Sequence, residues 1–224
     1  MKILALIPAR SGSKGIVNKN LKKIKKKSLL SISIELAKKL KIFERVVVST
    51  DSKKIADEAK KFLAEVPFIR PKKLSGGKSK MIDVCLHTIN FFENKRIYFD
   101  ALIVLQPTSP FRRKETILKC CKLLKKKNIN SIISAAKCGN SHPNYVFKLE
   151  KGKIVNLMKK KVFNRQNFNT FYYRSGIFYA AKISFIKKTK SLYDENSELI
   201  IINNKEATNI DEEYDLWLAK KILN

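Results

Sequence analysis

No stretch of this 224-residue chain approaches the roughly 20 consecutive apolar residues that span a bilayer, which argues against a membrane partner. The N-terminal apolar run, Ile3 to Ile7, is short and leads into a charged loop, not into the small-residue cleavage site of a secretory signal. A cytoplasmic location is expected. Cysteine is sparse: Cys85, Cys120, Cys121 and Cys138 lack zinc-site spacing and read as free thiols of a reducing compartment. With only His87 and His142, far apart in sequence, no Ser-His-Asp set is suggested. Acidic residues are scarce, 19 against 48 Lys and Arg, so the formal net charge is +29. The positive charge is not segregated. Short lysine runs (Lys25 to Lys27, Lys125 to Lys127, Lys159 to Lys161) are spread along the chain, with no basic tail, zinc finger or aromatic RNA-binding signature. Such a chain binds polyanions weakly and in a salt-sensitive way, but no specific nucleic-acid partner is expected.

What is present is an alternation of short apolar runs with segments of helical period. Arg45 to Thr50, Ala101 to Gln106 and Asn130 to Ala136 read as buried strands; residues 28–40, 53–62, 80–92 and 114–126 carry helical spacing. Asp51 and Ser52 are N-cap candidates for the second helix, and Val66 to Pro71 reads as extended. Residues 138–175 break the pattern, being polar, rich in Lys and Asn, and only briefly apolar. They read as a small β-rich excursion and a candidate dimerisation arm. Gly176 to Ala181 and Glu198 to Asn203 return as strands, and Asp211 to Leu223 closes the chain as a helix. The length suits one domain over residues 1–224. The alternation indicates an α/β fold, a Rossmann-like, mostly parallel sheet flanked by helices. In such sheets ligands bind beyond the carboxyl ends of the strands. Residues 8–20, 50–52 and 106–110 each follow a strand end and can share one rim.

The first of these segments reads Pro8-Ala9-Arg10-Ser11-Gly12-Ser13-Lys14-Gly15, followed by Lys19-Asn20. Gly12 and Gly15 allow close backbone approach, backbone N–H groups in such turns form anion-binding concavities, and Arg10, Lys14 and Lys19 add charge. A polyphosphate is the simplest ligand. The Lys-Ser/Thr pair of a Walker A loop and the dinucleotide glycine pattern are both absent. The plainer alternative is a surface loop that is basic because the whole chain is basic.

Taken with later blocks, the loop resembles the acylneuraminate cytidylyltransferases (CMP-sialic acid synthetases). The blocks are Ile7 to Gly15 with Lys19-Asn20; Ser49-Thr50-Asp51-Ser52; Val66-Pro67-Phe68 with Arg70-Pro71; Leu105-Gln106-Pro107-Thr108-Ser109-Pro110 with Arg112; Arg165-Gln166; Gly176 with Tyr179; and Ile210-Asp211 with Asp215-Leu216. The likeness covers essentially the whole chain. It implies a fold of the nucleotide-diphospho-sugar transferase type, and transfer of CMP from CTP to a nonulosonic acid, N-acylneuraminate or legionaminate-like, with release of pyrophosphate. Pseudaminate or an eight-carbon keto-deoxy acid is the alternative substrate; a nucleotide- or nucleic-acid-binding module without turnover is the alternative class.

By the same resemblance Ala9, Arg10, Ser11, Gly12, Ser13, Lys14, Gly15, Asn20 and Arg70 contact the nucleotide, and Arg10, Lys14 and Lys19 stabilise the transferring phosphates. Gln106, Arg165 and Tyr179 contact the sugar acid, Arg165 from the excursion of a homodimer partner. Mg²⁺ is the implied cofactor, at Asp211 and Asn209. Three positions depart from the family pattern: Asn209 stands where an aspartate is usual, Ser175 where an asparagine is, and Gly77 where an aspartate is.

Overall fold

The first apolar run, β1 (Ile3–Pro8), is buried at every position but its last, as a strand covered on both faces must be. The computed structural model describes residues 1–13, 15–158, 164, 166 and 168–223. After β1 come two two-residue strands, β2 (Lys23–Ile24) and β3 (Lys27–Ser28), then α1 (Leu29–Leu40), β4 (Arg45–Ser49), α2 (Lys53–Lys61), α3 (Met81–Glu93), β5 (Ala101–Leu105) and α4 (Lys114–Leu124). β6 (Ser131–Lys137), a hairpin of β7 (Phe147–Glu150) and β8 (Lys153–Asn156), β9 (Tyr172–Lys182), α5 (Ile183–Thr189), β10 (Glu198–Ile202) and α6 (Glu213–Leu223) complete the chain.

The main sheet has six strands in the order β10-β6-β9-β5-β1-β4. β1 is parallel to β4 and β5, and β6 is parallel to β10; β9 alone is antiparallel, between β5 and β6. The chain leaves β1 toward β4, then crosses to β5 on the other side. The carboxyl ends of β1 and β5 therefore flank a reversal in strand order, where a crevice opens. Side chains alternate along each strand. Ile3, Ala5 and Ile7 join Ile34, Val48, Ile103 and Ile117 on the face covered by α1 and α4. Leu4 and Leu6 join Ile89, Phe92, Val104 and Ile186 on the face covered by α3 and α5. A third cluster packs Ile16, Ile24 and Leu29 against Ile210, Leu216 and Ala219, fastening the loop after β1 to the C-terminal helix.

The helix starts follow local chemistry. Ser28 Oγ accepts the Ser31 N–H at 3.0 Å, and Ser52 Oγ accepts the Ile55 N–H at 3.4 Å. Asp51, the other cap candidate, does not cap: it turns away to the loop after β1, as described below. α6 starts at Glu213, two residues later than Asp211, because the Asp215 carboxylate accepts the N–H groups of both Asp211 (2.8 Å) and Glu212 (2.9 Å). Val66 to Pro71 forms no strand and has one isolated parallel bridge, Ile69 with Thr50 just past β4, and the strand expected from Gly176 starts at Tyr172. α5 has no counterpart in the sequence reading. All four cysteines are free, and burial pushes the thiols of Cys85, Cys120 and Cys121 upward.

Within residues 138–175, β7 and β8 form a separate two-stranded sheet, joined by Lys151 and Gly152, both at positive φ (51° and 76°), as a tight two-residue hairpin loop requires. At its base the His142 ring stacks on Phe168 (4.6 Å), pairs through Nε2 with the Asn169 carbonyl (2.9 Å) and accepts the Asn144 N–H at Nδ1. Phe147, Leu149, Ile154 and Leu157 are exposed.

Candidate active site

Beyond the ends of β1 and β5 lies a cleft of about 710 Å³. Arg10, Ser13, Gly15, Lys19 and Asn20 line it from the loop after β1, Arg70 to Val84 from the segment before and into α3, Gln106 to Thr108 from the end of β5, and Asp211 and Glu212 from before α6. Lys14 and Arg165 lie outside the described residues.

Internal hydrogen bonds set the shape of the loop. Asp51 receives the Ser11 N–H at Oδ1 and the Ser11 hydroxyl at Oδ2, both at 2.8 Å. Buried Asn20 donates Nδ2–H to the Arg10 carbonyl at 2.9 Å. Ala9 is buried and donates its N–H to the Ser49 carbonyl at 2.9 Å. Ala9, Ser11 and Gly12 do not line the cleft, and Arg10, Ser13, Gly15, Lys19 and Asn20 do. A Cβ on Gly12 would meet nothing within 4 Å, whereas one on Gly15 would stand 2.3 Å from the Asp211 carbonyl oxygen. The close approach that requires glycine at 15 is therefore to the protein's own backbone.

Lys19 reaches across the cleft. Its Nζ donates to the Ile210 carbonyl at 2.9 Å and pairs with Asp211 Oδ1 at 2.8 Å. Asn209 donates its amide to Asp211 Oδ2 at 2.5 Å, and the Ile210 N–H is held by the Thr108 carbonyl at 2.8 Å. Arg10 Nη1 donates to the Gly76 carbonyl at 2.7 Å, tying the loop to the opposite wall. Arg70 is 4 % exposed and spends its Nε and Nη2 on the Ser49 hydroxyl and carbonyl. Burial pushes its guanidinium down to about 10, against the pull of Asp51 and with some help from Arg10, so it stays charged at neutral pH. His87 does not line the cleft; it stands edge-on to Phe68 (4.6 Å), and burial with Arg70 and Lys73 nearby lowers its pKa.

A second recess of about 250 Å³ shares Met81 and Gln106 with the main cleft. Tyr179 and Tyr193 stack in it, 6.1 Å apart and tilted 26°, and the Arg174 guanidinium lies 4.8 Å from the Tyr193 ring centre and 5.8 Å from that of Tyr179. Lys80 and Lys190 add charge, and no described residue lining the recess is acidic. Gly176, at φ +71°, lies between two of the expected sugar contacts: a Cβ there would be 3.4 Å from the Tyr179 hydroxyl and 3.7 Å from Gln106 Nε2. Ser175 points instead into the sheet, its hydroxyl donating to Ser134 Oγ at 2.8 Å. Gly77 lies in the cleft wall. The sequence does not single out Arg174, Tyr193 or Met81. Arg174 adjoins the Gly176–Tyr179 block, a usable signal; the others are ordinary apolar or aromatic residues that only the fold brings here.

The arrangement sets the cations of the loop beside a second, cation-lined aromatic recess that shares Met81 and Gln106 with the cleft. Among the described residues no three of His, Cys, Asp and Glu cluster, and both Asp211 oxygens have partners, Lys19 and Asn209. One carboxylate with a neighbouring amide carbonyl fits a Mg²⁺ ion that takes its remaining ligands from a triphosphate and water.

A cytidylyltransferase family model matches residues 4–222. A CMP-N,N'-diacetyllegionaminic acid synthase of Legionella pneumophila is 33% identical over 228 residues, which cover 100% of this chain and 97% of that protein. An N-acylneuraminate cytidylyltransferase of Escherichia coli O18:K1:H7 is 29% identical over 220 residues, 97% of this chain and 51% of the longer relative. Among solved structures, a CMP:2-keto-3-deoxy-manno-octonic acid synthetase complexed with CTP superimposes with a TM-score of 0.76 over 100% of this chain and 98% of that one, at 13% identity, a likeness that shows the fold alone.

Proposed function

The chain belongs to the cytidylyltransferase family, and from that premise we propose that it transfers CMP from CTP to a nonulosonic acid of the diacylated, legionaminate-like kind, releasing pyrophosphate. The observation that carries this reading is the meeting of the two recesses at Gln106 and Met81. The triphosphate lies along the loop after β1, over Ser13 and Gly15, with Arg10 and Lys19 against its charge. The sugar acid lies over Tyr179 and Tyr193, with its carboxylate toward Arg174, Lys80 or Lys190 and its acylamino group toward the Gln106 amide, which can both donate and accept. The anomeric hydroxyl oxygen bonds to the α-phosphorus as the bond to the bridging oxygen of pyrophosphate breaks, and pyrophosphate leaves with that electron pair. The second recess holds no carboxylate or histidine among its described residues, and in the main cleft both Asp211 oxygens are engaged, so we assign the hydroxyl proton to a phosphate oxygen or to water rather than to Asp211. In phosphoryl transfer the protein chiefly positions the reactants and offsets charge, and Arg10 and Lys19 do both.

Mg²⁺, held by Asp211 and the Asn209 carbonyl when it is bound, supplies further charge neutralisation at the phosphates. Asn209 adds no negative charge of its own. Asn209→Asp is therefore expected to lower the Mg²⁺ concentration that half-saturates turnover by about five- to tenfold, on the order of one extra carboxylate near the ion. A Mg²⁺ titration of initial rates checks this; an unchanged midpoint removes position 209 from the metal's surroundings.

We also propose a homodimer built on the β7–β8 arm, whose exposed Phe147, Leu149, Ile154 and Leu157 make an apolar strip that a second copy would cover. Sedimentation at twice the 25.8 kDa chain mass, shifting to the monomer in Phe147→Lys/Leu149→Lys, is the expected result; a wild-type monomer at micromolar concentration contradicts it. Among the described residues no helix is long and apolar enough to cross a membrane. We place the reaction in the cytoplasm, in keeping with four unpaired cysteines.

Pyrophosphate release measured with CTP and a panel of N,N'-diacetyllegionaminate, N-acetylneuraminate, pseudaminate and the eight-carbon acid tests the reading. Fastest turnover with the first supports it. Preference for pseudaminate or the eight-carbon acid reassigns the substrate, and no release with any, from protein that binds CTP, removes the enzyme reading.

A further inference from the structure

Arg112 is 6 % exposed and lines neither recess, yet two of its three hydrogen bonds go to backbone carbonyls beside the sugar end. Its Nη2 donates to the Gln106 carbonyl at 2.7 Å, its Nε to the Ile177 carbonyl at 2.8 Å, and its Nη1 reaches Ser33 Oγ on α1 at 3.4 Å. The β5–β9 ladder ends at the pair Leu105–Phe178. Gln106 and Ile177 are the next residues outward, where no strand hydrogen bond holds the two chains together. On its other edge the register of β9 with β6 shifts between Ile133 and Ala135, beside the positive-φ Gly176.

We propose that Arg112 is a positioning residue for the sugar-acid half of the site, stapling the backbone of Gln106 to that of Ile177 and so fixing the Gln106 amide against the Tyr179 hydroxyl. The inference rests on the reading of the second recess as the sugar-acid site. The Gln106 carbonyl takes two donors, Arg112 Nη2 and the Ser109 N–H (3.2 Å), which together set its plane and with it the direction in which the side chain leaves. The Ile177 carbonyl follows Gly176, over which the Tyr179 hydroxyl and Gln106 Nε2 converge. A planar guanidinium suits this task because its donors leave in fixed directions; an ammonium is a compact point charge that cannot serve three such acceptors in the same geometry. Glu206, itself buried, takes the neighbouring Arg113 N–H at 3.0 Å and offsets the charge from the far side. Burial pushes the Arg112 guanidinium down to about 9, with Glu206 opposing, so all its donors remain at neutral pH. Arg112 makes no hydrogen bond to Arg10, Lys19 or Arg70, the cations of the nucleotide end.

The test is steady-state kinetics of Arg112→Lys and Arg112→Met, varying CTP and N,N'-diacetyllegionaminate separately, with thermal unfolding alongside. Arg112→Lys keeps the charge but gathers its donors on one nitrogen, and is expected to fold. Its KM for the sugar acid is expected to rise about tenfold, with the KM for CTP unchanged within about twofold; Arg112→Met is expected to extend the same split. If Arg112→Met does not fold, Arg112→Lys alone decides. A lowered melting temperature with both KM values unchanged, or with both raised in proportion, overturns the proposal in favour of a purely structural role. A wild-type enzyme that turns over none of the panel of acids overturns the reading on which it rests, and is distinguishable because no variant is needed to see it.

Discussion

Alanine at position 15 is expected to reduce kcat/KM for CTP by about two orders of magnitude, on the scale of a misplacement of about 1 Å in a positioned group, and to lower stability by about 1–3 kcal/mol through overpacking. The added methyl would sit 2.3 Å from the Asp211 carbonyl oxygen, and that carbonyl cannot swing aside. The Asp211 N–H is tied to Asp215, the preceding N–H to the Thr108 carbonyl, and the preceding carbonyl to Lys19. The loop must move instead, and it carries Ser13 and the cations that face the triphosphate. Its own anchors, Ser11 on Asp51 and Asn20 on the Arg10 carbonyl, resist a uniform shift, so the displacement concentrates between residues 12 and 19. Steady-state kinetics with denaturant unfolding checks both quantities. A variant with wild-type kcat/KM places the triphosphate elsewhere. The same substitution at Gly12, where a Cβ meets nothing within 4 Å, is the internal comparison and is expected to have a much smaller effect.

Lys19→Met is expected to lower kcat by about 10²- to 10³-fold, the scale set by losing one group that stabilises transition-state charge. Some stability should be lost as well, about 1–3 kcal/mol, because the Lys19 side chain is only 12% exposed and holds the Ile210 carbonyl, although its partner Asp211 is 65% exposed. The variant separates the two roles that the geometry gives this lysine. If Lys19 only locks the 209–211 segment, Lys19→Met loses stability and kcat survives. If it acts on the phosphates, kcat falls in protein that remains folded, and Lys19→Arg, which restores the charge, recovers part of the rate. Single-turnover CMP transfer at saturating CTP distinguishes them.

The parts of this site legible in the sequence are those written in local runs. The apolar strand, the glycine-rich loop and the turn after Leu105 each declare themselves within ten residues, and strand ends gather ligands by a general rule. The sheet order was not legible, because the antiparallel placement of β9 between β5 and β6 depends on pairings as distant in sequence as Ala101 with Lys182 and Ser131 with Ala181. Asp51 shows the same limit at the scale of one side chain. It stands where a helix cap is needed, but Ser52 supplies the cap, and Asp51 holds Ser11, 40 residues away. Gly15 reads from the sequence as a point where the backbone nears a ligand; what the structure shows pressing on it is the Asp211 backbone, a contact that exists only once the C-terminal segment has returned to the loop. Arg174 and Tyr193 escaped notice because a cation stacked on two tyrosines leaves no pattern along the chain when the tyrosines are 14 residues apart.

The central claim, that one cleft joins CTP to a sugar acid, is tested most directly by ³¹P NMR of the wild-type protein with CTP, Mg²⁺ and N,N'-diacetyllegionaminate. The account expects the three triphosphate resonances to give way, in equal amounts, to inorganic pyrophosphate and one new phosphodiester signal, and only when the sugar acid is present. Consumption of CTP at the same rate without the sugar acid, or an unchanged spectrum from folded protein, would contradict it.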